Sequence, residues 1–151
     1  MSRIQLALNV SNLEEAVDFY SRFFKSEPAK MRPGYANFAI DEPPLKLVLI
    51  ENGGEPGAIN HLGVEVFSQK EVQDSISYLS EIGFATDVEE ETTCCYAVQD
   101  KVWVEGPDQS RWEVYTVLSD AGESTLPGDH ACCTPLSSGA NSNSPESVNC
   151  C

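Results

Sequence analysis

The sequence predicts an α+β domain built from two tandem βαβββ modules. A strand followed by a helix occurs near the start of the chain, over 4–24, and the same order returns over 60–83. Two or three further strand-like segments follow each helix. The chain has 151 residues and is 41% hydrophobic, which is enough for one core and too little for several domains. We therefore predict a single folded domain over 1–118.

The first module, about residues 1–55, is predicted to contain one strand, one helix and then up to three strands. Ser11 and Glu14 have the spacing of a capping box, which predicts the start of the helix, and apolar residues then recur at helical spacing. The segments are, in order, "IQLALNV" (4–10), "SNLEEAVDFYSRFF" (11–24), a short strand within "PAKMRP" (28–33), "YANFAI" (35–40) and "LKLVLI" (45–50).

The second module, about residues 56–118, repeats this order. Ser68 and Glu71 form a second capping box, and Gly83 is suited to end the helix that follows. The segments are "NHLGVEV" (60–66), a helix over 68–83, "FATDV" (84–88), a loop that contains two cysteines, "KVWVE" (101–105) and "RWEVYTV" (111–117). The turn-forming run "GPDQS" separates the last two strands.

The charge of the chain excludes two classes of partner. Nine basic residues against 24 acidic ones give a net charge of -15, which repels nucleic acid and anionic membrane surfaces. No apolar run approaches the ~20 residues of a membrane span, and the first residues do not resemble a signal peptide. We therefore expect a cytoplasmic protein with no nucleic-acid or membrane partner, in a compartment where cysteines stay reduced.

All six cysteines occur as adjacent pairs: Cys94-Cys95, Cys132-Cys133 and Cys150-Cys151. Adjacent Cα atoms lie about 3.8 Å apart, whereas bridged cysteines are normally roughly 4.4–6.8 Å apart, so a disulfide within a pair would be strained. Each pair is better interpreted as two thiols presented together. The last two pairs lie in 119–151, a segment rich in Ser, Gly, Pro and Asn that is predicted to be a flexible tail.

Aligning the two modules predicts a metal site. The first strands match Gln5 with His61, and the last strands match Val48 with Glu113. If the modules pack about a pseudo-twofold axis, these positions converge on one concave face. An amide, an imidazole and a carboxylate with open positions are typical of a catalytic divalent metal site. The alternatives are a structural histidine and a glutamate on an exposed strand face.

The helix "SNLEEAVDFYSRFF" and the hairpin "VEGPDQSRWEVY" resemble those of the vicinal oxygen chelate superfamily, which includes glyoxalase I and the extradiol dioxygenases. This resemblance implies that the two modules form a half-barrel around a central metal bowl. The segments "RPGYANFAIDEPPLKLVLIE", "TTCCYAVQDKVWV" and "ACCTP" closely resemble the carbon-arsenic lyases of the ArsI group and the neighbouring cadmium-induced proteins.

The resemblance to the lyases implies an Fe(II)- and O2-dependent dioxygenase that cleaves the carbon-arsenic bond of trivalent organoarsenicals. It implies that Gln5, His61 and Glu113 hold the iron and that Cys94 and Cys95 hold the arsenical. Trivalent arsenic is thiophilic, so two thiolates can replace both hydroxyls of methylarsenite and leave the methyl group exposed to reaction. The expected partners are this substrate and O2, and the expected assembly is a monomer or a homodimer.

Four further residues are weaker candidates. Tyr96 and Lys101 flank the predicted bowl and could contact substrate, although a lysine that opens a strand is expected to be exposed. Cys132 and Cys133 could serve as accessory thiols that raise the local thiol concentration.

Two other functions fit the same residues. Six paired thiols and 24 carboxyl groups could sequester cadmium or arsenite without turnover. Alternatively, the bowl could catalyse another vicinal oxygen chelate reaction, such as extradiol cleavage, in which the cysteines would be dispensable.

Overall fold

The computed structural model describes residues 2–94 and 96–120, which form one curved sheet with two helices against it. The elements are β1 (Arg3–Val10), α1 (Leu13–Phe24), β2 (Lys30–Arg32), β3 (Tyr35–Ile40), β4 (Leu45–Glu51), β5 (Ile59–Glu65), α2 (Gln69–Glu81), β6 (Thr86–Cys94), β7 (Ala97–Glu105) and β8 (Arg111–Asp120). This order confirms the two predicted βαβββ modules, including the short strand β2.

The strand order β2-β3-β4-β1-β5-β8-β7-β6 is symmetric about its centre. The two first strands, β1 and β5, pair antiparallel in the middle, and each pairs on its other side in parallel with the last strand of its own module. The eight strands curl into an open half-barrel, so the modules are related as the internal repeat predicts. Both modules of one chain contribute to this sheet.

The two faces of the sheet have different roles because strand side chains alternate. On one face, α1 covers a core that includes Leu13, Phe38, Leu47 and Leu49. The opposite, concave face carries Ala7, Tyr35, Val48 and Ile50 together with a set of buried polar residues. The helices thus occupy one face and leave the concave face for a polar site. No helix in the described part of the chain is long and apolar enough to cross a membrane.

The predicted helix starts were correct for one helix and wrong for the other. Ser68 caps α2 as predicted, because its hydroxyl accepts from the Glu71 amide. The cap of α1 is Asn12 and not Ser11: the Asn12 side chain accepts from the Glu15 amide at 3.0 Å. Both residue types accept well at this position, so the capping-box spacing alone placed the start one residue too early.

The second module contains longer strands than the sequence predicted. The strand β6 continues to Cys94 and β7 begins at Ala97, so the predicted cysteine loop is the tight tip of a hairpin. At the end of the domain, β8 continues to Asp120, which pairs with Ala97 and lies two residues beyond the predicted boundary. The tail was predicted over 119–151; its first two residues belong to β8, and residues 121–151 lie outside the described residues.

Candidate functional site

The pairing of the central strands brings three polar side chains to the middle of the concave face. In the antiparallel pair β1–β5, Gln5 lies opposite Gly63 and His61 lies opposite Ala7. In the parallel pair β5–β8, Glu113 lies opposite Gly63, while Val48 occupies the corresponding place opposite Ala7. The register therefore gives Gln5, His61 and Glu113 one common centre, with an apolar side chain in the fourth equivalent position.

These three side chains are buried and in direct contact. Nε2 of Gln5 donates to Oε1 of Glu113 at 2.6 Å and lies 3.1 Å from Nε2 of His61. The distance from His61 Nε2 to Glu113 Oε1 is 3.3 Å. The structure thus joins the three predicted metal ligands within one hydrogen-bonded cluster.

Gly63 makes this close approach possible. A Cβ atom added at position 63 would lie 3.0 Å from Cγ of Glu113 and 3.3 Å from Nε2 of Gln5. These contacts are tighter than ordinary van der Waals packing, so a larger residue would push the two side chains apart. A glycine within a strand is a signal of such a close approach, and here it lies at the centre of the cluster.

Asn60 fixes the proton on the imidazole of His61. The Asn60 side-chain amide donates to Oδ1 of Asn9 at 2.9 Å and to the backbone carbonyl of Gly53 at 3.2 Å, so its own oxygen faces Nδ1 of His61 at 2.8 Å. Nδ1 must therefore carry the proton, and Nε2 presents a lone pair to the centre of the cluster. A hydrogen bond of this kind is what usually orients a metal-binding histidine.

Lys101 compensates the charge of Glu113. Its ammonium is fully buried and donates to Oε2 of Glu113 at 3.0 Å. Burial by itself would raise the pKa of Glu113, but the charge of Lys101, together with the hydrogen bond and the charge that His61 supplies when its ring is protonated, outweighs burial and brings the pKa to about 2. Glu113 is therefore ionised at every physiological pH.

The expectation that Lys101 is an exposed lysine at the end of a strand was wrong. Because β7 begins four residues earlier, at Ala97, Lys101 lies inside the strand and on its concave face. Trp103, two residues further on, also lies on this face, with its ring 5.4 Å from that of His61 in an edge-to-face arrangement. Lys101 thus belongs to the site through its bond to Glu113.

Tyr115 completes the environment of Gln5. Its buried hydroxyl donates to Oε1 of Gln5, and its pKa is raised well above the ordinary value by burial and by the charges of Glu65 and Glu113, so the hydroxyl stays protonated. A half-turn of the Gln5 amide would exchange its oxygen and nitrogen, and the Tyr115 hydroxyl can accept as well as donate. Gln5 can therefore present its oxygen to the centre of the cluster while Tyr115 remains its hydrogen-bond partner.

The cluster has the properties of a cation site. With Nδ1 protonated, the Nε2 lone pair of His61 faces a carboxylate oxygen of Glu113 at 3.3 Å, and a positive ion between them would relieve the repulsion of these two acceptors. Within residues 2–94 and 96–120, no three side chains of the types His, Cys, Asp and Glu form such a group. The third ligand type in this cluster is an amide, and the donor set of imidazole, carboxylate and amide oxygen fits a divalent metal ion.

The hairpin between β6 and β7 brings Cys94 toward the bowl. Cys94 is the last residue of β6 and is almost fully buried, with 1% of its surface exposed. The next described residue, Tyr96, packs its ring on the cluster that contains Ala7, Val48 and Tyr35, and its carbonyl accepts from Nζ of Lys30 at 3.1 Å. The hairpin tip is thus fastened to the concave face of the first module.

Cys94 is disulfide-bonded, which differs from the free thiol that the sequence predicted. A disulfide requires a second sulfur within bonding distance, and thiol–disulfide exchange then decides which form is present. The other five cysteines, among them Cys95, Cys132 and Cys133, lie outside the described residues.

A cavity of about 210 Å³ adjoins the Gln5 and Glu113 side chains on the concave face. Lys30 and Lys46 line it, and burial lowers the pKa of Lys46 although the charge of Glu65 acts in the opposite direction. Glu65, also in the wall, forms a salt bridge with Arg3. Lys30 and Lys46 thus share the cavity wall with Glu65, Glu113 and Asp120, so the cavity presents both positive and negative groups.

Sequence reasoning missed several residues of this site. They are Asn60, Tyr115, Lys46 and Glu65. The sequence contained a signal for the last three, because residues an even number of positions apart on a strand lie on the same face. Tyr115 is two residues from Glu113, and Lys46 is two residues from Val48. Glu65 is four residues from His61, so each of the three shares a strand face with a position of the central cluster or its apolar equivalent.

The chain matches the Glyoxalase/Bleomycin resistance protein/Dioxygenase superfamily over residues 3–114. The cadmium-induced protein CadI of Mycobacterium tuberculosis is 64% identical over 121 residues, which cover 80% of each chain. A trivalent organoarsenical cleaving enzyme of Thermomonospora curvata is 57% identical over 141 residues, or 93% of each chain. Homoprotocatechuate 2,3-dioxygenase from Arthrobacter globiformis has the same fold, with a TM-score of 0.57 at 21% identity; the match covers 77% of this chain and 36% of that one.

The fold and these matches define the class: this chain belongs to the glyoxalase/bleomycin resistance/dioxygenase superfamily. Within it, the chain is similar to the organoarsenical cleaving enzymes and to CadI, as the cysteine-containing motifs predicted.

Proposed function

We propose that this chain is an Fe(II)- and O2-dependent enzyme that cleaves the carbon-arsenic bond of trivalent organoarsenicals such as methylarsenite, giving arsenite. The observation that carries the proposal is the contact of Gln5, His61 and Glu113 in a bowl onto which the Cys94 hairpin packs. The similarity to a trivalent organoarsenical cleaving enzyme of Thermomonospora curvata supports it.

In this proposal Gln5, His61 and Glu113 hold the metal through an amide oxygen, an imidazole nitrogen and a carboxylate. Bound Fe(II) supplies the activation of O2. The protein holds the three ligands in the required state: Asn60 keeps the proton on Nδ1 of His61, and Lys101 keeps Glu113 ionised. Tyr115 accommodates either orientation of the Gln5 amide.

The role of Cys94 and Cys95 is to bind and orient the arsenical. Their two thiols would replace the two hydroxyls of methylarsenite, each giving its proton to a departing hydroxyl so that two molecules of water are released, which leaves the methyl group as the only substituent that can react. This requires the reduced chain, because a sulfur engaged in a disulfide cannot bind arsenic. Holding the substrate beside the metal would make the oxidation effectively intramolecular.

The first prediction tests the reaction itself. Reduced protein loaded with Fe(II) should convert methylarsenite to arsenite in air and should give no product under anaerobic conditions, because O2 is a substrate. Separation of the arsenic species by chromatography with elemental detection measures this. Conversion that persists without oxygen or after removal of iron would overturn the proposal.

The second prediction concerns the orientation of His61. Asn60→Ala removes the acceptor at Nδ1 and should weaken Fe(II) binding by about 10–100-fold, since partners of this kind orient a metal-binding imidazole. Anaerobic equilibrium titration with Fe(II) measures the effect directly. The matched control is Asn12→Ala, which removes an exposed side-chain hydrogen bond at the start of α1 and leaves the contact between Asn60 and His61 in place. Equal affinities in the two variants would show that Asn60 does not act through His61.

A second candidate function follows from the similarity to CadI. In that case the thiols would bind Cd(II) or arsenite and no product would form. The central cluster argues for chemistry beyond binding, because a thiol-based buffer does not require a buried imidazole with a fixed tautomer and an ionised glutamate. Substitutions at Glu113 distinguish the two functions, because a thiol-based buffer does not depend on this carboxylate.

A further inference from the structure

The strand β6 contains one residue more than its partner β7 can pair with. The pairing is regular over 86–89 and again over 92–94, but the register shifts between these two runs. Two residues, Glu90 and Glu91, therefore lie opposite a single residue, Asp100, which is the arrangement of a β-bulge. Glu91 has a φ of 47°, a backbone conformation that a glutamate rarely adopts and that surrounding contacts must stabilise.

The side chain of Asp100 supplies such a contact. Its Oδ1 accepts from the backbone N–H of Glu91 at 2.8 Å, and its Oδ2 accepts from Nε2 of Gln69, the first residue of α2, at 2.7 Å. Asp100 is 4% exposed and lies on the face of the sheet that the helices cover. Hydrogen bonds to a carboxylate are stronger than those between neutral groups. Asp100 thus ties the bulge to both β7 and α2.

The bulge determines which residue of β6 reaches the bowl. With the bulge, Cys94 pairs with Ala97, which lines the cavity, and paired residues of adjacent strands lie on the same face. Without it, every pair beyond Glu90 would shift by one position. Thr93 would then lie opposite Ala97, and Cys94 would move into the connection between the strands. The two registers therefore present different side chains at the same place.

The register without a bulge is a real competitor, because a regular ladder leaves no residue unpaired whereas a bulge disrupts the ladder locally. Asp100 offsets this loss, since it accepts the hydrogen bond of the bulged Glu91 amide. Removal of the carboxylate would leave that N–H group without this acceptor, which is costly in a partly buried position. The choice between the two registers thus depends on Asp100.

We propose that Asp100 is a positioning residue for the arsenical site: it selects the bulged register of β6 and thereby holds Cys94 on the concave face. The proposal rests on the proposed function and adds a residue that acts through the hairpin. Asp100 contacts neither the central cluster nor the bowl, because its side chain lies on the opposite face of the sheet.

The test uses the reduced, full-length chain. In Asp100→Ala, nuclear Overhauser contacts of Ala97 should shift from Cys94 to Thr93, and protection of Cys94 by methylarsenite against iodoacetamide should weaken about tenfold or more. Asp100→Asn keeps an acceptor for the Glu91 amide and should behave as the wild type. The matched control is Gln69→Ala, which removes the bond from α2, leaves the bond to Glu91 and should keep the register.

Deletion of Glu91 provides a rescue that a merely stabilising role of Asp100 does not predict. With one residue fewer, β6 pairs regularly and Cys94 stays opposite Ala97 without a bulge. Asp100→Ala combined with this deletion should therefore restore protection of Cys94 and turnover to within about threefold of the wild type. Recovery of a folded, arsenical-binding protein supports the proposal even if Asp100→Ala alone does not fold. A loss that persists in the double variant would overturn it.

Iron binding and turnover separate this proposal from the proposed function. The Fe(II) affinity of Asp100→Ala should equal that of the wild type, because the central cluster lies on the other face, while kcat/KM for methylarsenite should fall about tenfold or more. A wild type that cleaves nothing, but whose register and Cys94 protection depend on Asp100, would overturn the proposed function and support the positioning role. Cleavage with the same register and kcat/KM in Asp100→Ala would overturn the positioning role alone.

Discussion

Glu113→Ala should abolish both tight Fe(II) binding and turnover, with kcat/KM for methylarsenite reduced more than about a thousandfold. Glu113 is the only negative charge in the central cluster and contacts both Gln5 and His61. A metal ion supplies several kcal/mol of stabilisation to a reaction, and each 1.4 kcal/mol corresponds to a factor of ten. Fe(II) titration and arsenite formation at a fixed iron loading measure the two effects.

Glu113→Ala also removes the carboxylate that Lys101 contacts in the interior, so the variant could lose stability for that reason alone. Glu113→Gln serves as a second variant because it keeps the shape and an acceptor for Lys101 while removing the charge. Glu105→Ala, an exposed glutamate on the neighbouring strand, controls for the general loss of an acidic residue. Full activity in a folded Glu113→Gln protein would contradict the metal-ligand role, and arsenite or cadmium retention without any turnover in the wild type would favour the binding function.

Replacement of either cysteine at the hairpin should have a far larger effect than removal of the whole tail. Cys94→Ser or Cys95→Ser should reduce turnover of methylarsenite by about 100-fold or more, because a single thiolate neither retains nor orients the arsenic. Truncation after Asp120 should leave turnover at saturating substrate within about twofold and weaken only capture at low concentration, since tail thiols act by raising local concentration.

The truncation point follows from the structure of β8. Asp120 forms a salt bridge with Lys30 and pairs with Ala97, so a cut after Leu118 would remove contacts of the folded domain. All variants are compared in the reduced state, because Cys94 can form a disulfide. An inactive truncated protein that retains its circular dichroism and its iron would show that cysteines beyond Asp120 bind the substrate instead.

The fold was predictable because the helices and strands of each module follow from local sequence patterns. Helical spacing after a capping residue and alternating strands depend on neighbouring residues, and the repeat then fixes the relation of the two halves. The predictions of element boundaries failed where a contact between residues distant in the sequence determines the structure. The sequence does not show that β6 extends to Cys94, because the exposed acidic strand is held only by its pairing with β7.

The central residues Gln5, His61 and Glu113 were identified because equivalent positions of a repeat must converge. Their assignment as metal ligands stays a prediction, whereas their contact is a feature of the structure. Lys101 was misjudged because burial of a lysine depends on a carboxylate twelve residues away along the chain. Asn60 could not be predicted, because its orientation is fixed by Asn9 and Gly53, which belong to the other module.

The parallel pairing of β8 with β5 places the two ends of the domain at one point. Gln5 and Glu113 are separated by 108 positions in the sequence, so the site requires contacts between residues from nearly opposite ends of the described domain, and such contacts form slowly during folding. While β8 is still inside the ribosome, Gln5 and His61 have already been synthesised but cannot yet contact Glu113. Iron should therefore enter only after synthesis of the domain is complete, and its binding should raise the melting temperature of the whole domain.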